Sequence, residues 1–188
     1  QSLATVGQWP WPRTEVARML DQLRAAGAVA TAFDVVFAEP DRTSPAVYAD
    51  FLKDAEPGVR EALRSLPSND EVFARAIRQS RLVLGQSGYP RYLEEAGRPE
   101  SPKIPLAILG SDPTPYLYRF PGLVRNTPVL EEAAPSRAVF NLVPERDGVV
   151  RRVPAFVVAE GEIVPSLTVE LLRIATGGNA FAIKTDEA

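Results

Sequence analysis

Apolar positions in the first half of the chain switch between a helical period and continuous runs. Behind Pro12, Val16, Met19, Leu20 and Leu23 recur at helical spacing from Thr14 to Ala26, with Gly27 placed to end the turn, so the pattern predicts an amphipathic helix there. The run Val29-Ala30-Thr31-Ala32-Phe33-Asp34-Val35-Val36-Phe37 is nearly all apolar or β-branched. A strand covered on both faces reads that way, which makes 29–37 the expected central strand. Residues 45–66 carry Val47, Tyr48, Phe51, Leu52, Val59, Leu63 and Leu66 around Pro57-Gly58 and predict two short helices. Ser68 and Glu71 have capping-box spacing ahead of Val72, Phe73, Ala76 and Ile77, and Leu82-Val83-Leu84-Gly85 follows as a second buried strand. Helix, strand, helix, strand at these lengths implies parallel pairing in an α/β layer.

The rhythm then breaks. Nine of the 18 prolines lie between Tyr89 and Ser136, where no period is sustained, so 88–136 reads as a proline-rich excursion that short pieces such as Ile104 to Leu109 pin down. Beyond it, 138–143 and 149–158 flank Glu145-Arg146-Asp147-Gly148, a hairpin signal that predicts an antiparallel pair. Pro154 belongs at an edge or bulge, and Gly161 marks another turn. Ser166 can cap a helix whose Leu167, Val169, Leu171, Leu172 and Ile174 face the core, with Gly177-Gly178 ending it and a strand starting at Phe181. The expected fold is therefore α/β: a layered mixed sheet with parallel central strands flanked by helices, and an antiparallel hairpin near the C-terminal half, in one domain over 1–188.

Composition narrows the chemistry. With 188 residues, 45% of them apolar, the chain is long enough for one sizeable core. It contains no His and no Cys, which removes imidazole bases, Ser-His-Asp and Cys-His pairs, the usual zinc sites and disulfides. The formal net charge of −3 offers no field for nucleic acid or anionic lipid. No run approaches the roughly 20 apolar residues of a membrane helix, and Gln1-Ser2-Leu3-Ala4-Thr5 lacks the regions of a signal peptide. Phosphate loops, nucleophile elbows, EF-hand spacings and repeats are all missing, so a carboxylate hydrolase is the one enzymatic reading left, without a nucleophile to support it.

Three groups of side chains remain as candidates. Asp34 interrupts an apolar strand, and Glu39 and Asp41 follow near its carboxyl end, where open α/β sheets place ligand crevices. Together they suit a hard cation or a polar small molecule; the competing reading gives them backbone donors and arginine partners. Trp9 and Trp11, on a proline-stiffened segment, can stack on a ligand or clamp the helix start against the core. Arg137, Arg146, Arg151 and Arg152 read as a solvated hairpin, because strand alternation sends Arg151 and Arg152 to opposite faces.

The same residues carry a resemblance. Gly7-Gln8-Trp9-Pro10-Trp11-Pro12-Arg13, Ala26-Gly27-Ala28, 32–42 (Ala32-Phe33-Asp34 through Pro40-Asp41-Arg42) and 70–77 (Asp70-Glu71-Val72-Phe73 onward), followed by 140–154 and 165–173, resemble in that order the second CHASE family, the cyclases/histidine kinases associated sensory extracellular domain. The resemblance implies an extracytoplasmic, periplasmic sensor anchored in the bacterial inner membrane by helices outside this chain, driving a cytoplasmic output such as an adenylate or guanylate cyclase. It also implies one strand before Gln1 and another after Ala188 that belong to the domain. The alternative is a ligand-free dimerisation or partner-binding module of a sensor histidine kinase, diguanylate cyclase or serine/threonine kinase. The family supplies no ligand residues to carry over and no cofactor. The expected partner is a small ligand, a cation, an envelope protein or a second copy, with no catalytic residue in the domain itself.

Overall fold

The computed structural model describes residues 7–93 and 104–186. Helix α1 (Arg13–Ala25) leads to strand β1 (Thr31–Phe33), then to α2 (Pro45–Phe51), α3 (Pro57–Ser65) and α4 (Asn69–Arg78), and returns as β2 (Leu82–Tyr89). Strands β3 (Leu106–Leu109), β4 (Arg119–Phe120) and β5 (Gly122–Val124) precede α5 (Pro128–Ala133) and β6 (Ser136–Val139). A hairpin of β7 (Phe156–Ala159) and β8 (Glu162–Pro165), helix α6 (Leu167–Thr176) and β9 (Phe181–Lys184) complete the order.

The main sheet is parallel, with β2 between β1 and β6, while β5 joins antiparallel at the far end of β2. Helices α1, α4 and α5 cover one face and bury Val16, Leu20, Phe73, Ile77 and Leu130 against Leu82 and Leu84. On α1 the buried arc is Val16, Ala17 and Leu20; Met19 and Leu23, expected to be buried too, stay partly exposed because α4 covers only one edge of the helix. Phe33, Phe37 and Phe73 meet edge to face with ring centres 5.3–5.7 Å apart, the geometry that aromatic quadrupoles favour. Helix α6 packs beside β6, β2 and β1, and two smaller sheets, β3–β9 and β4–β7–β8, flank this body. The architecture is mixed α/β with parallel strands flanked by helices.

Two sequence expectations change in detail. The central strand is β2. The run 29–37 forms only three residues of strand and pairs with β2 alone among the described residues. After Phe33 its backbone bonds go elsewhere: the Phe37 N–H donates to Asn126 Oδ1 at 2.8 Å and its carbonyl accepts from the Thr127 N–H at 2.8 Å. An apolar run therefore continues as a loop whose side chains enter the core while its main chain leaves the ladder. Gly85 in β2 marks the tight spot, since a Cβ there would lie 2.4 Å from the Phe33 carbonyl oxygen.

The second change is the hairpin. Asp147-Gly148 does turn the chain, with the Gly148 N–H donating to the Glu145 carbonyl at 2.8 Å, but 138–143 and 149–158 do not pair as strands. Strand β6 has committed its hydrogen bonds to β2, and the Asn141 side chain extends that pairing by donating to the Gly88 carbonyl and accepting its N–H. Arg151 and Arg152, freed from strand alternation, both turn to Glu145. The antiparallel hairpin lies one turn later: Glu160 and Gly161 have φ of 51° and 87°, as a two-residue turn between β7 and β8 requires.

The proline-rich stretch returns to the core in its second half, where Leu123 and Leu130 are buried; its residues 94–103 lie outside the described residues. Pro45, Pro57 and Pro128 each open a helix, which accounts for part of the proline content. The capping box is formed, with Ser68 Oγ accepting the Glu71 N–H at 3.2 Å and the Glu71 carboxylate accepting the Ser68 N–H at 2.7 Å. Strand β9 pairs parallel with β3, so the segment near Ile104 is pinned as expected.

Candidate functional site

Strands β1 and β6 flank β2 and are both packed by α6. Beyond them lies an open cavity of about 470 Å³ lined by Asp34, Phe140, Asn141, Leu142, Val153 and the start of α6 at Ser166, Leu167 and Thr168. A bridge between Val139 and Ser166 holds the strand end against the helix start. The position matches the general rule that open α/β sheets bind ligands outside the carboxyl ends of their strands. Asp34 is exposed at this cavity and has no hydrogen bond or ion pair among the described residues. Burial, which would have demanded a partner for it, does not occur.

Ser166 occupies the N-cap of α6, yet its side chain accepts nothing from the helix. It is only 5% exposed, and its hydroxyl has no partner among the described residues. Ser68 at the start of α4 does the opposite, closing its capping box. Sequence patterning placed Ser166 as a cap; its contribution to the cavity had no separate signal. The apolar residues of α6 are only partly covered, and Leu172 is 64% exposed, against the expectation that all five face the core. The buried residue is Glu170, whose carboxylate pairs with Arg173 and accepts the Ser136 hydroxyl.

The other candidate acids part from Asp34. Asp41 is buried and accepts four hydrogen bonds: the Arg13 N–H at 2.7 Å, the Thr43 N–H and hydroxyl at 2.8 Å each, and Asn69 Nδ2 at 2.9 Å. Burial alone would raise its pKa, but these donors outweigh it and hold the carboxyl below the ordinary value. Neighbouring Asp70 accepts the Asp41 N–H at 2.8 Å and faces Arg13, yet burial pushes its carboxyl up. Arg13 in turn lies over the Phe37 ring at 4.4 Å. Asp41 thereby fastens the first turn of α1, where Pro12 has no capping side chain, to the start of α4. Glu39 is exposed and bonds Arg42 at 2.7 Å. The three acids do not converge, and no group of three or more metal-ligating side chains forms among the described residues.

Trp9 and Trp11 pack edge to face at 5.7 Å, and Trp11 Nε1 donates to the Gly7 carbonyl at 2.9 Å. Neither indole lines the strand-end cavity. Trp9 is largely exposed and Trp11 partly so, which leaves them at the entry to α1 rather than in the core.

A second polar centre escaped the sequence reading, which had placed Arg137 on a solvated hairpin; Arg137 is buried because Glu131 pairs with it in the interior. Buried Glu131 on α5 accepts Gln86 Nε2 at 3.1–3.2 Å and the Asn126 N–H and Nδ2 at 2.9 Å, and lies 2.5 Å from Arg137 Nε. Burial lowers the Arg137 pKa despite the attraction of Glu131. The only sequence hint was Asn126-Thr127-Pro128, a helix-start pattern inside a stretch read as an excursion. This centre joins β2, β6 and α5, is buried throughout and lies apart from the strand-end cavity; it is a structural clasp.

The geometry thus defines a layered α/β body with one face sealed and an open strand-end cavity on the other. The family model for the CHASE2 domain matches residues 1–187, and the chain belongs to that family. CHASE2 domains are sensory extracellular domains of membrane-bound signalling proteins, not catalytic ones. Neither a curated protein nor a solved structure matches the chain. No helix among the described residues is long and apolar enough to cross a membrane.

Proposed function

We propose that this CHASE2 domain is the periplasmic input of a bacterial inner-membrane signalling protein, and that it binds a small ligand in the strand-end cavity to bias the activity of a linked adenylate or guanylate cyclase. The observation that carries the ligand reading is the pairing of an open cavity with two polar groups, the Asp34 carboxylate and the Ser166 hydroxyl, that have no partner among the described residues. Signal transfer needs two conformations that the ligand distinguishes. The sparsely packed α6 side supports that requirement, since its apolar side chains are only partly buried. The test is cyclic-nucleotide production by the full-length protein in sealed membrane vesicles with small molecules supplied on the domain's side. A ligand-dependent change supports the reading; a full-length sequence without a cyclase overturns the output assignment.

One observation favours the second reading, a dimerisation or partner-binding module. Helices α2 and α3 pack on each other and leave Tyr48, Phe51, Leu52, Val59 and Leu66 exposed, with Phe51 at 77%. Sedimentation of the chain across concentration separates the readings: self-association abolished by Phe51→Ser favours the dimerisation module, and a monomer throughout counts against it.

A further inference from the structure

We propose that the ligand of the strand-end cavity is a small zwitterion with a carboxylate and an ammonium group a few bonds apart, a free α-amino acid being the simplest member of the class. This rests on the small-ligand reading above and adds the chemistry of the ligand. Three features of the cavity wall carry it.

The first is the start of α6. This ten-residue helix presents the positive end of its dipole and its first-turn N–H groups, which the Ser166 side chain leaves uncapped. Ser166 itself, buried to 5% exposure and lining the cavity, has a hydroxyl that bonds nothing among the described residues. Its oxygen is not sealed inside the protein, so it is open to an arriving group from the cavity. Thr168 adds a second hydroxyl at the same place. Such a constellation suits a carboxylate.

The second feature is Asp34 just past the end of β1, a carboxylate on the same cavity without a partner among the described residues. A simple anion seated at α6 would be repelled by it, and a simple cation paired with it would face the wrong end of the helix dipole. One molecule bearing both charges satisfies both walls. A bare metal ion is disfavoured because no second acid joins Asp34, and among the described residues no group of three ligands forms.

The third feature is what remains of the lining. Val139, Phe140, Leu142, Val153 and Leu167 give the cavity an apolar part for a side chain. Its volume of about 470 Å³ lies toward the lower end of the roughly 300–1,000 Å³ of small-molecule pockets and fits a compact ligand.

The experiment is thermal denaturation of the chain with each of the twenty proteinogenic α-amino acids. Any that raises the midpoint is compared at equal concentration with its des-amino acid and its decarboxylated amine, as leucine with 4-methylpentanoate and 3-methylbutylamine. The expected result is a dose-dependent rise with at least one amino acid. Each single-charge analogue should bind about tenfold more weakly or worse, through loss of one charge-assisted contact. Asp34→Asn should weaken the amino acid by a similar factor, whereas Glu39→Gln, outside the cavity, should leave binding intact. Equal binding of the des-amino analogue, or undiminished binding by Asp34→Asn, overturns the proposal. A flat amino-acid panel alongside a shift with sugars, polyamines, dicarboxylates or divalent cations overturns the zwitterion and leaves the small-ligand sensor standing. A flat response to both sets overturns the two together.

Discussion

The two faces of the main sheet are built on different principles. Under α1, α4 and α5, leucine, isoleucine and phenylalanine side chains are sealed from water, and the polar groups among them, Asn126, Glu131 and Asp41, are held by several hydrogen bonds each. Across the sheet, α6 buries a charged residue, leaves its own apolar residues partly exposed and borders an open cavity. The first face keeps the sheet in register. The second has open space and, among the described residues, polar groups without partners.

The comparison breaks first at Glu131. Its removal in Glu131→Ala strands Arg137, Gln86 and Asn126 in the interior, and loss of one partner from such a buried set costs about 3–5 kcal/mol. Chemical denaturation should read this as a large drop in midpoint. A loss near that of a surface pair would mean that the clasp is not formed. Next comes Leu130→Ala on the sealed face, expected to cost about 2–5 kcal/mol because Leu130 is wholly buried.

A smaller effect distinguishes the two linked acids. Asp41 is held below its ordinary pKa of 3.8, so its stabilisation is present above that pH and is lost as pH falls through the lowered folded value. Asp70 is raised above 3.8; its contribution is complete below that pH and is lost as pH rises through the folded value. The two slopes are opposite in sign, that of Asp41 lying below pH 3.8 and that of Asp70 above it. Asp41→Asn should therefore flatten the acid limb of a stability–pH profile and Asp70→Asn steepen it. Parallel profiles for the two variants would contradict the assignment. Smallest of all, Leu172→Ala on the open face should change stability by less than about 0.5 kcal/mol, in contrast to the same substitution at Leu130.

The sealed face was largely legible in the sequence. The stripe Val72, Phe73, Ala76, Ile77 and the capping box specify α4 locally, and Leu82 to Gly85 reads directly as a buried strand. What failed were segments whose partners lie far along the chain. The run 29–37 has strand composition throughout, but Asn126, 89 residues on from Phe37, takes its backbone N–H. Asp147-Gly148 has hairpin chemistry, but β6 was already engaged by β2. Turn signals are local, whereas competition for hydrogen bonds is not. Of the proposed site, Asp34 was legible as an acid interrupting an apolar run, although the strand end was expected further on, at Glu39 and Asp41. Ser166 was legible only as a cap, because whether a cap is used depends on what the fold brings near it. Helix α5 escaped notice since six residues are too few to display a period.

Asp34 and Asp41 bound one short stretch of chain, the first in the cavity, the second gripping the beginnings of α1 and α4. Between them Asn126 anchors the main chain at Phe37. The stretch thus ties the rim of the cavity to the footing of two helices on the sealed face.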